Sequence, residues 1–287
     1  MKRYIYGTSV RGAAHKHGRI QCQDSCRVET IKDVVIMGVA DGHGSTLCPY
    51  SKTGSVIAVN VFCSVMSTYY NSFNKTRNGM RSLMRFLNRE GSLKVAQSID
   101  REWKRRVYKQ HLNRKREVPA DNDGSPDKEA VYKMYGSTLL GLMITKSFIF
   151  AFQLGDGDIC CINGQGINYL LAPDKLLGVE THSLCKKESW KKAVTQVSVR
   201  DNHTDCSALY WMSTDGMSNS YRTQKEFEYA CTEYYSAIRE NGFEVIEDNL
   251  DEWLEETSEQ GCGDDVTVVM AYYYTDKEKD EDEQIID

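Results

Sequence analysis

Four short segments of this chain set carboxylates beside a glycine or an amide. They are Gln23-Asp24, Asp41-Gly42-His43-Gly44, Asp215-Gly216 and Gly263-Asp264-Asp265. Apolar runs lead straight into the second and third, Val34 to Val39 and Ala208 to Met212, and another, Val266 to Tyr274, leads away from the fourth. Strand ends that converge at one edge of a sheet would bring these acids together. Carboxylates at close range repel, and some hold a proton unless a cation neutralises the group. A cluster of oxygen ligands, without clustered thiolates or imidazoles, selects hard ions such as Mg²⁺ or Mn²⁺ over zinc. Two such ions sharing a bridging carboxylate activate water. Any one Asp-Gly pair is an ordinary turn, so the inference rests on the set.

Hydrophobic periodicity outlines the elements that must position these turns. Arg3 to Ser9 reads as a strand, and Ser51 to Tyr70 as a helix with Val56, Val59, Cys63 and Met66 at helical spacing. Leu83 to Leu87 and Val95 to Val107 read as further helices; in the second, Val95, Ile99, Trp103 and Val107 make one apolar stripe. Asp121 to Asp127 reads as a loop. A dense β region follows, with strands at Leu139 to Ile144, Phe148 to Leu154, Ile159 to Ile162 and Ile167 to Leu171, the last two joined by an Asn163-Gly164-Gln165-Gly166 hairpin. Val194 to Val199 is another strand, and helices near Gln224 to Glu240 and Phe243 to Thr257 precede the last one. Many strands flanked by amphipathic helices, with no fixed-period repeat, imply an α+β fold.

Composition narrows the class. Hydrophobic residues are 40% and charged residues 27%, an ordinary globular balance. Residues 276–287 hold seven acids and two lysines, which accounts for the whole formal net charge of −5. The body before them sums to zero and does not advertise nucleic-acid binding. The acidic end reads as a solvated, disordered tail behind one catalytic domain spanning 1–275. The ten cysteines include no Cys-x-x-Cys pair, no signal peptide is visible, and the run Val56 to Met66 is too short and too polar to span a membrane. The expectation is a soluble, cytoplasmic monomer with reduced thiols.

Other features have plainer readings. His15, His17, Cys22 and Cys26 imitate a zinc cluster with irregular spacing. Cys160 and Cys161 are neighbours on a strand and face opposite ways. Glycines 155, 157, 164 and 166 suit hairpin turns, not a phosphate-cradling loop. Residues 101–117 carry eight basic side chains against Glu102 and Glu117. They form either a solvated helix face or a docking strip for an acidic or phosphorylated partner, the chain's own tail included.

Together the acidic turns resemble the metal-dependent type-2C protein serine/threonine phosphatases. Arg19-x-x-x-Gln23-Asp24 resembles the family's opening Arg-x-x-x-Glu-Asp, and Asp41-Gly42-His43-Gly44 matches its Asp-Gly-His-Gly. Gly136-Ser137-Thr138 matches a Gly-Ser-Thr strand start, and Gly155-Asp156 resembles a Gly-Asp-Ser turn. Ser213-Thr214-Asp215-Gly216 resembles Ser-Asp-Gly, and Gly263-Asp264-Asp265-Val266-Thr267 is similar to an Asp-Asn-x-Thr ending. Six motifs in the family's order cover nearly the whole body, and the Gln-Asp and Asp-Asp variants look like the bacterial branch.

The resemblance implies a four-layer α-β-β-α sandwich of two mostly antiparallel sheets, with the site at one end between them. It implies that Asp41 bridges two Mg²⁺ or Mn²⁺ ions, that the Gly42 carbonyl binds one, and that Asp215 and Asp264 complete the other. Gln23 and Asp24 would act through coordinated water. Arg19 would grip the substrate phosphate in a bidentate fork, and His43 would protonate the leaving alkoxide. A hydroxide between the ions would attack phosphorus in line. The implied substrate is a phosphoserine or phosphothreonine protein, opposing a serine/threonine kinase. Asp156 would belong to a third metal site, whose usual aspartate partner is Asn219 here, so a third ion would be weakly held. Pro173 to Ser189 would form a mobile flap. Two competing readings remain open: a pseudophosphatase interaction module, suggested by Gln23 and Asn219, and a metal-dependent hydrolase of small phosphoesters.

Overall fold

Apolar runs buried on both faces form the central strands of two five-stranded sheets in the computed structural model, which describes residues 2–172, 181–200 and 207–275. The expected flap lies partly outside these residues, and the acidic tail wholly. One sheet has the order β1 (Lys2–Val10), β10 (Val266–Tyr274), β9 (Ala208–Ser213), β6 (Asp158–Asn163) and β7 (Gly166–Leu171). The other runs β2 (Ser25–Ile31), β3 (Val34–Ala40), β4 (Leu139–Ile144), β5 (Phe148–Leu154) and β8 (Val194–Val199). Every neighbouring pair is antiparallel.

The pleat sorts side chains into layers. On β10, Val269, Ala271 and Tyr273 face Met37, Leu142 and Met212 in the core between the sheets. The alternate residues Val266, Val268 and Met270 face the other way, against α7 (Gln224–Asn241) and α8 (Glu244–Gln260), where Phe227, Ile246, Leu250 and Leu254 cover them. On the far side α2 (Ser51–Phe73), α3 (Gly79–Glu90) and α4 (Ala96–Asn113) bury Phe62, Met66, Leu83, Leu87 and Trp103 against Ile36, Phe148, Phe150 and Phe152. Each large apolar side chain taken from water contributes about 1.5–3 kcal/mol. The result is the four-layer sandwich expected from the resemblance. Cys160 and Cys161 do fall on opposite faces, one in the helix-side core and one beside the inter-sheet core.

Several elements lie outside the periodicity reading. Strand β2 alternates Arg27 and Glu29 with half-buried residues at a sheet edge, so it carries little apolar signal. Short helices α1 (Ala13–Gly18), α5 (Lys128–Lys133) and α6 (Asp215–Ser218) are below the length at which a helical period can be read. The Asp121–Asp127 loop ends on a cap, because the Asp127 carboxylate accepts the Ala130 N–H at 2.9 Å and so starts α5. A π-helical turn, Gly91–Val95, separates α3 from α4.

Candidate active site

Antiparallel pairing puts the beginning of one strand beside the end of its neighbour, and this gathers the acidic turns. Ser25 pairs with Ala40, so Asp24 at the start of β2 lies by Asp41 at the end of β3. Ser213 pairs with Val268, so Asp215, just past β9, lies by Asp264 and Asp265, just before β10. The two sheets meet there through Asp24. Its Oδ2 accepts hydrogen bonds from Thr214 Oγ1 at 2.7 Å and Thr267 Oγ1 at 2.8 Å, both on the opposite sheet. Asp41 is anchored by its backbone: its N–H donates to Thr138 Oγ1 and its carbonyl accepts the Thr138 N–H, each at 2.9 Å.

The close turns need glycine. A Cβ on Gly42 would stand 2.8 Å from the Gln23 carbonyl oxygen, and one on Gly216 would stand 2.0 Å from that of Asp265. Side chains at either position would wedge the acid-bearing segments apart.

Charge crowding in this pocket is visible in its proton affinities. Burial pushes the Asp24 carboxyl up to about 6, and the neighbouring Asp265 charge adds to it, while the hydroxyls of Thr214 and Thr267 pull it down. Burial, then the charges of Asp24 and Asp215, hold Asp41 well above the usual carboxylate range. Burial, then Asp156, Asp24 and Asp264, push Asp215 up to about 7. Side chains from separate turns therefore feel one another. A set of buried carboxyl oxygens with raised proton affinity fits divalent cations, which replace the protons.

Other expected residues fall around the pocket. Gln23 has its N–H on Asp265 Oδ2 at 2.6 Å, and its side-chain oxygen reaches the Gly44 turn. His43 packs its ring on Gly136 and donates its N–H to the Gly136 carbonyl at 3.1 Å. Arg19 sits exposed in a left-handed cap (φ 54°) at the end of α1, its backbone N–H closing the helix on the Lys16 carbonyl and its side chain without a polar partner among the described residues. That helix is tied to the Asp264 turn by the Ala14 N–H on the Gly263 carbonyl, 2.9 Å. Asp156 accepts from Thr181 Oγ1 at 2.8 Å, and Asn219 Nδ2 donates to Asp215 Oδ2 at 2.9 Å.

Two residues were not assigned roles from sequence. Asp265, 3% exposed, accepts the Gly12 and Gln23 N–H groups at 2.7 and 2.6 Å and lies 2.8 Å from His15 Nδ1. His15 Nε2 also lies 3.9 Å from Asp264 Oδ1, so His15, Asp264 and Asp265 form a compact group of potential ligands. The doubled aspartate was a hint, since consecutive residues at a strand start point opposite ways. Nothing local ties residue 15 to residue 264. The zinc arrangement does not assemble among the described residues: His17 Nδ1 lies 2.7 Å from its own helix's Ala13 carbonyl, and the Cys22 thiol donates to the Val10 carbonyl.

A sandwich of two sheets between helices, with oxygen ligands gathered at one end, defines a divalent-metal hydrolase scaffold. The family model for protein phosphatase 2C matches residues 11–255, and the chain belongs to that family. It is a metal-dependent protein serine/threonine phosphatase, and its substrates are phosphorylated proteins. The match ends before Asp264, which the fold brings to the pocket. No curated protein matches the chain.

Solved structures share the fold. The Mycobacterium tuberculosis serine/threonine phosphatase PstP/Ppp is 13% identical, covering 96% of this chain and 100% of that one, at a TM-score of 0.57. RsbX in complex with magnesium is 14% identical, covering 94% of each chain, at 0.52. The catalytic domain of PstP with two manganese ions is 12% identical, covering 95% and 99%, at 0.55. At such identities the likeness carries the architecture alone. No helix among the described residues is long and apolar enough to cross a membrane.

Proposed function

We propose that residues 1–275 form one catalytic domain whose pocket holds two ions, Mg²⁺ or Mn²⁺, to hydrolyse phosphoserine and phosphothreonine in proteins phosphorylated by an opposing kinase. Asp41 would bridge the ions, with the Gly42 carbonyl on one and Asp215 and Asp264 on the other. The observation that carries this reading is that Asp24, Asp41 and Asp215, delivered by three separate turns, are buried together with raised proton affinities, to which neighbouring acids, Asp264 among them for Asp41 and Asp215, add charge. The manganese in PstP and the magnesium in RsbX support the choice of ion. When bound, such ions acidify coordinated water and offset charge on the transferring phosphoryl group.

The chain's own residues would do the rest. Asp24 spends one oxygen on two threonine hydroxyls and also hydrogen-bonds Asp41; with the ions bound it would orient water. Arg19, exposed and unpaired among the described residues, would clasp the phosphate with two parallel N–H donors. His43, beside Asp41, would pass a proton to the departing serine or threonine oxygen. Asn219 spends an amide N–H on Asp215 and brings no charge to Asp156, so a third ion would be weak.

The experiment is phosphopeptide turnover against Mn²⁺ concentration, with calorimetry of Mn²⁺ binding. Saturable activation, with its loss in Asp215→Asn, supports the proposal. Full activity in Asp215→Asn, or the absence of any Mn²⁺ heat at millimolar concentration, overturns it. A larger kcat/KM for free nucleotides than for phosphopeptides would move the substrate to small phosphoesters.

A further inference from the structure

We propose that an arginine stripe on α3 is the docking surface for the chain's own acidic segment, residues 276–287. Residues 75–89 hold Lys75, Arg77, Arg81, Arg85 and Arg89 and no acid at all. The four arginines recur every fourth residue, and on the helix itself such a spacing keeps Arg81, Arg85 and Arg89 within about 80° of arc. The opposite side of α3 buries Leu83 and Leu87, so the stripe faces solvent. All five cations are exposed, and none has an ion-pair or hydrogen-bond partner among the described residues.

Helix α4 shows how this protein neutralises basic residues where it does so. Arg105 and Arg106 both bind Glu102, at 2.7 and 2.6 Å, and these contacts hold the Glu102 carboxyl down at about 2. Lys104 pairs with Asp100 at 3.0 Å, and Arg116 lies 3.3 Å over the Tyr50 ring. Half of the strip at 101–117, Lys104, Arg105, Arg106 and Arg116, is thus committed within the fold, whereas none of the five cations of the α3 stripe is.

Topology brings the complement to the same end of the sandwich. Strand β10 starts at the acidic pocket and ends at Tyr274, paired with Lys2. Next to it, Arg3 Nη2 donates to the Lys32 carbonyl at 2.7 Å, in the turn between β2 and β3. Helix α2 runs parallel to β2: Ser55 meets Ser25, Asn60 meets Arg27, and Ser67 meets Glu29. Its last turn, at Phe73, packs against the start of α3. The exit of β10 and the start of the stripe therefore share the end remote from the pocket. Twelve residues reach about 40 Å when extended, and these twelve carry seven acids and two lysines.

The test uses the full chain and phenylglyoxal, an arginine-selective reagent, with exposed Arg101 and Arg114 as internal standards. At low salt, Arg81, Arg85 and Arg89 should react about fivefold more slowly than the standards, and 0.5 M NaCl should remove the difference. A full-chain variant with Asp280→Asn, Glu281→Gln, Asp282→Asn and Glu283→Gln should remove it as well. Carbodiimide should join Lys75 or Lys94 to acids of 276–287 within one chain. Equal reactivity in both proteins, with no such cross-link, overturns the proposal. Protection that rises with protein concentration also overturns it, and assigns the stripe to a second copy's tail.

Discussion

Asp264 and Asp265 are neighbours in the chain and opposites in circumstance. Asp264 has a side chain 56% exposed at the pocket, in the electrostatic reach of Asp41 and Asp215. Asp265 is buried and accepts two backbone N–H groups, with His15 alongside. The protein itself supplies the donors that satisfy Asp265, which makes it a brace for residues 12–23. The pocket acids also accept hydrogen bonds, Asp264 from the Asp265 N–H at 2.8 Å and Asp215 from Asn219, yet Asp24, Asp41 and Asp215 still sit with raised proton affinity, which a cation would relieve. A carboxylate's job here is set by its burial and its neighbours, not by its residue type or its place in a motif.

The sharpest way to break this contrast is to remove a pocket charge. Asp41→Asn or Asp215→Asn should lower phosphopeptide turnover on the order of a thousandfold or more. The metal-free protein should keep or gain thermal stability, because a repulsive charge is gone. A metal-free Tm that falls by several degrees would show that these acids brace the fold too.

Asp265→Ala is the reciprocal change. Two buried N–H groups lose their acceptor, and the expected loss is about 2–4 kcal/mol of stability by urea unfolding. Mn²⁺ binding heats should persist in the folded fraction. A stable variant with abolished metal heat would exchange the roles of the two aspartates.

Titration separates the two kinds of acid without mutation. Asp24 and Asp215 keep protons up to about pH 6 and 7 in the fold, against about 3.9 in an unfolded chain. Between about pH 4 and 7 the metal-free native state binds more protons than the unfolded state, so its stability from these groups falls as pH rises. Mn²⁺ displaces those protons, so the Tm gain it confers should grow from pH 5.5 to 7.5 by about 5 °C. A gain that is flat across this range would mean that Asp24 and Asp215 do not hold protons in the metal-free fold.

The mildest change is Asn219→Asp. It replaces an N–H donor on Asp215 with a charge near Asp156. An additional Mn²⁺ binding event should appear by calorimetry, with turnover changed by about fivefold at most. Unchanged calorimetry would place the limit on a third ion elsewhere.

What could be read without coordinates follows the range of the interactions. Strands β3, β9 and β10 announce themselves by uninterrupted apolar runs, and the turns beside them carry Asp41, Asp215 and Asp264. Strand β2 was hidden because its helix-facing positions are the charged Arg27 and Glu29, which meet Asn60 and Ser67 of α2, so no apolar run marks it. His15 was hidden because its partners lie some 250 residues away, and no local pattern encodes such a contact. The basic strip at 101–117 left a solvated face and a docking surface both open from sequence; Glu102 and Asp100 stand three or four residues from the Lys104, Arg105 and Arg106 they neutralise, a spacing available in the sequence. The stripe of α3 was under-read for the same reason in reverse, since what sets it apart is that no acid falls between residues 75 and 89.

The Asp24 clamp has a mechanical consequence. A single carboxylate at the head of one sheet is gripped by two hydroxyls from the other, so relative sliding of the sheets must stretch those bonds before anything else. Repacking of the layer between them, at Met37, Met212 or Val269, would then register as altered ion affinity many residues away. The pocket acts as a strain gauge for the alignment of the two halves.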